Sequence, residues 1–390
     1  MKADGRRCSL GIDIGSHTVK TILLEDTPDG FVVRQAGRMP TPPGALLDGA
    51  VVKPGEIAAC IRSMLARSGL RIRSASVSVP AEHVFVKTIE VPEMDRDSLH
   101  AATRFEARKY LPYPADTADI ELHPVAQTGP IEEKRMHALL TAAPRRIVRS
   151  RAEALEAADL DVDAVEPEPF ALFRALNLSI SRHDTVWRGQ AQAFLQIGER
   201  TCGMWVSQGV EIRFIRAIAW GAERITQSLV QSLDIPDEEA RSIKESSSAR
   251  VEQDGSLNWP GYESDGSAAL AEELNRLCRE IQRLLNYYRS LYPERSYEGN
   301  LDRIVLCGGT AGLEGLAEYL SGLLQIEVRG RNPFRSVGSR FSTESFEAVR
   351  GHKASFGAAI GLALGGMQSG WSATRADGRM DEFVWRREVA

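Results

Sequence analysis

The chain reads as an α/β protein made of two related halves, and three stretches carry that expectation. Residues 9–20 and 192–201 each run as an apolar strand, then Gly, then small polar residues. Residues 301–320 run as a β-branched strand, a Gly308-Gly309 corner and an amphipathic helix. A buried strand that turns at Gly brings bare backbone close to a ligand and offers N–H groups and hydroxyls to phosphate oxygens. The same residues also make ordinary β-hairpin turns, and Gly-Gly also makes a tight strand-to-helix connection. Each corner alone leaves both readings open. Three of them, in the order phosphate, phosphate, adenosine, favour a nucleotide site.

The remaining elements follow the chain. Residues 8–25 and 30–39 alternate as paired strands across a Pro28-Asp29-Gly30 turn. A Pro- and Gly-rich connection over 40–48 leads to a helix over 54–68, and 74–80 alternates as a strand. Between 83 and 161 the pattern is strand, helix, strand, strand, helix: 84–91, 96–111, 120–125, 137–142 and 145–158. The polar stretch 179–189 precedes the second half, where strand 210–218 answers 193–207 and Gly221 opens a helix through Leu233. Residues 246–266 are polar and Gly-rich, which predicts a loop. Leu270, Leu274, Leu277, Ile281, Leu284, Leu285 and Tyr288 then form the stripe of a long helix over 268–291. Residues 356–367 are apolar and small, a buried helix too short for the ~20 residues of a membrane span.

With 390 residues and 43% hydrophobic content, the chain can bury cores in two or more lobes. A formal net charge of −5 gives no basic field, so nucleic acid is not an expected partner. Cys8, Cys60, Cys202, Cys278 and Cys307 are scattered, with no Cys-x-x-Cys pair, and read as reduced thiols rather than staples or zinc ligands. The first seven residues are polar, and no secretory signal is visible.

Two further segments are more specific. Residues 104–114 read Arg-Phe-Glu-Ala-Arg-Lys-Tyr-Leu-Pro-Tyr-Pro, and 165–172 read Val-Glu-Pro-Glu-Pro-Phe-Ala-Leu. With the three corners, they make the chain resemble the actin-like ATPases and, within them, the PilM family of type IV pilus assembly proteins, from residue 10 to about residue 365. The first is similar to that family's Glu-Ala-x-x-Tyr-Ile-Pro-Phe box, the second to its Val-Glu-Pro-x-x-x-Ala-Leu link. The resemblance implies a two-lobed actin-like ATPase fold with an inserted small α+β subdomain. The first lobe would occupy 1–82 and, with a link, 162–190; the insert 83–161; the second lobe, with a helical insertion, 191–370; and a charged C-terminal tail 371–390. The helix over 356–367 is similar to the one that closes the family's second lobe.

The resemblance further implies ATP or ADP with Mg²⁺. The nucleotide would meet Asp13, Gly15, Ser16, His17, Thr18 and Lys20, then Gly198, Thr201 and Lys244, then Gly308, Gly309 and Thr310, with Asp13 facing the metal. Lys20 also suits a solvent-facing strand position, and Lys244 a solvated charged helix face. The chain departs from the family at Gln196, where Asp is usual, and at Arg241, where an acid is usual. An amide supplies neither charge for Mg²⁺ nor a general base, so the expectation is ATP binding with weak or absent ATPase activity. His17 has no placed partner, and no Ser-His-Asp or Cys nucleophile context can be argued, so no catalytic residue is assigned.

For partners, the resemblance implies a PilN-like inner-membrane protein whose short cytoplasmic tail docks beside the insert. Tyr110, Pro112 and Tyr113 would shape that groove; they equally suit packing of a helix end. The protein would then sit in the cytoplasm, peripheral to the inner membrane, on the platform of a pilus or secretion machine, with a homo-oligomer an open outcome. The alternative is an FtsA-like cell-division protein or another actin-like ATPase or kinase. No acceptor-site motif for a kinase is visible. Residues 374–390 lack the sustained apolar face of FtsA's membrane-targeting helix.

Overall fold

The computed structural model describes residues 2–3, 6–66, 72–128, 135–177, 191–208, 211–246, 248–260, 267–291 and 301–368. The expected connector at 179–189 and tail at 371–390 lie outside them. The first region runs β1 (Lys2–Ala3), β2 (Arg6–Ile14), β3 (Thr18–Thr27), β4 (Gly30–Pro40), β5 (Leu46–Leu47) and β6 (Ala50–Val51). Helix α1 (Pro54–Ala66) follows, with Pro at its first position and Ile57, Ala58, Ile61 and Met64 buried. After β7 (Ser74–Val79) come β8 (Phe85–Pro92), α2 (Arg96–Ala107), β9 (Ala118–Thr128) and β10 (Arg135–Pro144). Helix α3 (Arg145–Glu156), β11 (Asp161–Pro167) and α4 (Glu168–Asn177) complete this region.

The second region runs β12 (Ala191–Ile197), β13 (Cys202–Gln208), β14 (Glu211–Ile218), α5 (Glu223–Leu233) and α6 (Asp237–Glu245). It continues with β15 (Arg250–Val251), β16 (Leu257–Asn258), α7 (Ser267–Ser290), β17 (Leu301–Cys307), α8 (Leu316–Leu324) and β18 (Glu327–Gly330). Last come β19 (Gly338–Ser339), α9 (Thr343–Val349) and α10 (Gly357–Gln368).

These elements fall into two units, one of residues 1–175, 337–345 and 358 onward, the other of 176–336 and 346–357. The first sheet has the order β11-β7-β2-β3-β4-β19, with β1 paired to β2. Its β2, β3 and β4 are antiparallel, while β7 and β11 add in parallel beyond β2. The second sheet has the order β14-β13-β12-β17-β18. There β12, β13 and β14 are antiparallel, while β17 and β18 add in parallel beyond β12. The two halves share one topology, and in each the tight Gly hairpin joins the first two strands. In the second unit α7 turns Leu270, Leu274, Leu277, Ile281, Leu285 and Tyr288 into the core, as its spacing predicts.

The insert is an antiparallel β8-β10-β9 sheet carrying α2. Its own small core is built on Ile89, Val91, Leu99, Leu122 and Leu140. Asp95 caps α2 by accepting from Ser98 N at 2.8 Å. The expected insert reached 161, but α3 buries Ile147, Val148, Ala154 and Leu155 with Leu10 and Ile57 of the first unit's core. The insert therefore closes at Pro144. An amphipathic stripe announces burial without saying which sheet receives it.

A second correction concerns α10, expected to close the second lobe: it packs within the first unit. A Cβ at Gly11 would lie 2.1 Å from Ala359 O, and one at Gly361 1.8 Å from Ala171 O. The glycines let these backbones touch. The expected loop at 246–266 also contains the β15–β16 pair, turned at Gly255 with φ +86°. Asp254 Oδ1 accepts from Ser256 N there at 2.9 Å, and residues 261–266 lie outside the described ones. No helix among the described residues is long and apolar enough to cross a membrane.

Candidate functional site

In the first unit the β2–β3 turn is closed by Gly15 N donating to Thr18 O at 3.1 Å. A Cβ at Gly15 would lie 2.9 Å from that carbonyl, so a side chain there would crowd the closure. Ser16 is exposed at the tip, Gly15 and His17 are half-buried, and Thr18 is buried. Below the tip Asp13 and Lys20 are cross-strand partners. Lys20 Nζ donates to Asp13 Oδ2 at 2.8 Å and to Thr18 O at 3.4 Å. Both side chains are about nine-tenths buried, so Lys20 belongs to the base of the hairpin and not to a solvent-facing edge.

Two residues the sequence did not single out support this turn. Thr41 donates through Oγ1 to Gly15 O at 2.7 Å, and its N–H donates to His17 O at 2.9 Å. Arg151, buried on α3, donates from Nη1 to Ile14 O at 2.5 Å and from Nη2 to Gly49 O at 2.7 Å. Arg151 was detectable in principle, since it falls on the stripe of Ile147, Ala154 and Leu155, where a charge is out of place.

In the second unit the β12–β13 turn repeats the closure: Gly198 N donates to Thr201 O at 3.1 Å. A Cβ at Gly198 would lie 2.8 Å from Thr201 O. By this equivalence Gln196 occupies the position that Asp13 holds in the first hairpin. The tip carries Glu199, which accepts from Lys244 Nζ at 3.0 Å and from Arg241 Nη1. Arg241 Nε also donates to Asp237 Oδ2 at 2.6 Å. Burial alone would lower the Arg241 pKa, but the carboxylates of Asp237 and Glu199 reverse this and leave it above its ordinary value. Lys244, buried, also donates to Ala222 O at 3.3 Å. Lys244 and Arg241 thus hold Glu199 in place, a role that sequence spacing did not disclose.

The Gly-Gly corner follows β17. Gly308 has φ +92°, and a Cβ on it would lie 2.5 Å from Ile197 O of β12. Its smallness is therefore demanded from within, by the strand that leads into the second hairpin. Gly309 is the open position: its nearest atom to an added Cβ is Ser355 Cβ at 3.9 Å. Thr310 is buried in the single turn that follows.

In the insert, α2 ends in a turn in which Tyr110 N and Leu111 N both donate to Ala107 O at 3.0 Å. Tyr110 and Leu111 pack on the insert's core, and Lys87 Nζ sits 4.5 Å from the Tyr110 ring centre. Pro112 and Pro114 are exposed and Tyr113 is half-buried. The Tyr113 hydroxyl is buried without a hydrogen-bond partner among the described residues, and burial pushes its pKa up to about 12.

Two units of one topology, each closing its leading strands with the same Gly–Thr bond, define the actin-like ATPase class of fold. The chain matches the family model of type IV pilus assembly protein PilM over residues 11–367, and it belongs to that family. The PilM-PilN type IV pilus biogenesis complex aligns with a TM-score of 0.76 and 23% identity, covering 92% of this chain and 98% of that one. Ethanolamine utilization protein EutJ from Carboxydothermus hydrogenoformans aligns with a TM-score of 0.50 and 16% identity, covering 92% and 89%. Cell division protein FtsA of Escherichia coli (strain K12) is 22% identical over 374 residues, 87% of each chain, a more distant relation than the family itself.

Proposed function

We propose that this chain is a nucleotide-binding scaffold of a type IV pilus or related secretion machine that docks the cytoplasmic tail of a PilN-like inner-membrane protein. Membership of the PilM family supports the assembly role, and the PilM chain of similar fold is found with PilN. The observation that carries the docking surface is Tyr113: a half-buried ring with an unsatisfied hydroxyl, flanked by two exposed prolines at the end of α2. Such a hydroxyl costs roughly 1–3 kcal/mol unless an incoming group satisfies it. Rigid aromatic and proline side chains make low-entropy anchors for an ordering tail. Attachment to the membrane would come through that partner.

The nucleotide, ATP or ADP, would take the hairpin tips at Gly15–Thr18 and Gly198–Thr201 for its phosphates and the open Gly309 corner for its base. The residues present fit Mg²⁺. Lys20 engages one oxygen of Asp13, and a single carboxylate with phosphate oxygens is a donor set this cation accepts. Mg²⁺ would neutralise phosphate charge there, while Gln196 adds none, so the reading is one of nucleotide holding with little turnover.

Calorimetry with a synthetic peptide of the partner's N-terminal tail tests the docking reading. Tyr113→Ala should weaken capture by about tenfold or more while ATP binding is unchanged. Absence of peptide binding by the unmutated protein, with or without ATP, would overturn it.

A further inference from the structure

Arg151 is buried, and beyond its hydrogen bonds to the hairpin main chain the site described so far gives its guanidinium charge no role. Both its hydrogen bonds end on main-chain carbonyls, Ile14 O and Gly49 O, and its Nε has no partner among the described residues. A carbonyl satisfies a donor but does not cancel a charge. A guanidinium withdrawn from water is costly unless a counter-charge meets it. Burial accordingly pulls its pKa down, against the opposing fields of Asp13, Glu168 and Glu82. Of these, Asp13 is already bonded to Lys20, Glu168 is half-buried at the start of α4 and makes no hydrogen bond to the guanidinium, and Glu82 is exposed to solvent. The bond to Ile14 O holds the guanidinium against the residue that leads into the Gly15–Thr18 turn, whose tip at Ser16 is exposed.

We infer that Arg151 is an electrostatic positioning residue for the polyphosphate: its charge, held against the first hairpin, favours ligands in proportion to the negative charge they bring to the tip. This rests on the nucleotide reading above and adds to it a residue that never touches the ligand. Through Gly49 O the same guanidinium also ties the hairpin to the β5–β6 turn, where a Cβ on Gly49 would strike the His83 ring. A purely structural Arg151 would hold these two turns together and treat all ligands alike.

The experiment separates the two roles by ligand charge. ATP and ADP are titrated calorimetrically, and adenosine by ligand-observed NMR, against the full chain, Arg151→Met and Arg151→Lys. In Arg151→Met, ATP affinity should fall about tenfold, ADP affinity less, and adenosine affinity not at all, as loss of one nearby unit charge requires. Arg151→Lys, which keeps the charge, should restore most of the preference for ATP. Should Arg151→Met fail to fold, Glu82→Gln gives the opposite sign: removing an offsetting acidic charge should raise ATP affinity about twofold without changing that for adenosine. Equal losses for all three ligands, or an unchanged ATP-to-adenosine ratio in every variant, would overturn the inference. Failure of the unmutated chain to bind ATP would instead overturn the nucleotide reading on which it stands.

Discussion

Gly308 and Gly309 are adjacent, yet the same substitution should do different things at the two positions. Val at 308 must hold a β-branched side chain at φ +92° and place its Cβ 2.5 Å from Ile197 O, a backbone atom that cannot swing away. With ψ at 175°, Gly308 lies in a positive-φ region open almost only to glycine, which costs an L residue ~1–3 kcal/mol; overpacking adds a further ~1–3, so Gly308→Val should destabilise by roughly 2–6 kcal/mol. At ~2–4 °C per kcal/mol for a unit of this size, the melting midpoint should drop by roughly 4–24 °C. A Cβ at 309 meets only Ser355 Cβ at 3.9 Å, an ordinary contact, so Gly309→Val should melt much closer to the unmutated chain than Gly308→Val does. If the Gly-Gly corner receives the adenine ring, Gly309→Val should still abolish binding, because the side chain fills the space the ring needs. Differential scanning fluorimetry and a fluorescent-ATP titration read the two effects separately. Retained ATP affinity in a folded Gly309→Val would remove the adenosine assignment, and an undisturbed melting point in Gly308→Val would refute the steric reasoning.

Two further outcomes follow from residues described above. Gln196 should leave phosphate release very slow, and Gln196→Asp, which returns a carboxylate at the position matching Asp13, should raise it in the presence of Mg²⁺; brisk release by the unmutated chain would contradict the assignment. The Tyr113 phenol has a folded pKa of about 12 against an ordinary 10.0. Its stabilising contribution is therefore complete below pH 10 and is lost as pH rises through 12, because the unfolded chain gives up its proton first. Tyr113→Phe, which removes the unsatisfied buried hydroxyl, should be more stable than the parent near neutrality by roughly 1–3 kcal/mol and lose that segment of alkaline decline. Ultraviolet tyrosinate absorbance would expose an error if Tyr113 titrated with exposed tyrosines.

What could be read from the sequence was local. The Gly hairpins, the α7 stripe and the strand–helix order of the insert are written in residues close together along the chain, so periodicity and turn chemistry disclosed them. The long-range pairings were not. Nothing local says that α3 joins the β2 sheet and not the insert, or that Gly361 meets Ala171. At the hairpins the types and spacing of Gly15, Thr18, Gly198 and Thr201 were legible. The Glu199–Arg241–Lys244 network was not, because it joins a turn to a helix more than forty residues away. Gly308 carries a demand the sequence did not disclose: read as making room for a ligand, it also makes room for the protein's own backbone at Ile197.

The packing of α10 against Gly11 also fixes an order of events during synthesis. The first unit needs residues 1–175 together with 337–345 and the segment from 358, so its sheet leaves the ribosome long before the helix that covers it. At roughly 5–20 residues per second, the interval between residue 175 and residue 358 lasts about 10–40 s. During that time the contiguous stretch 191–330, with its whole sheet and α7, emerges in full. The half that begins the chain is thus the last to be completed. A nascent polypeptide stalled before Gly357 would leave the strand surface at Gly11 without its covering helix, a ready target for chaperones and proteases.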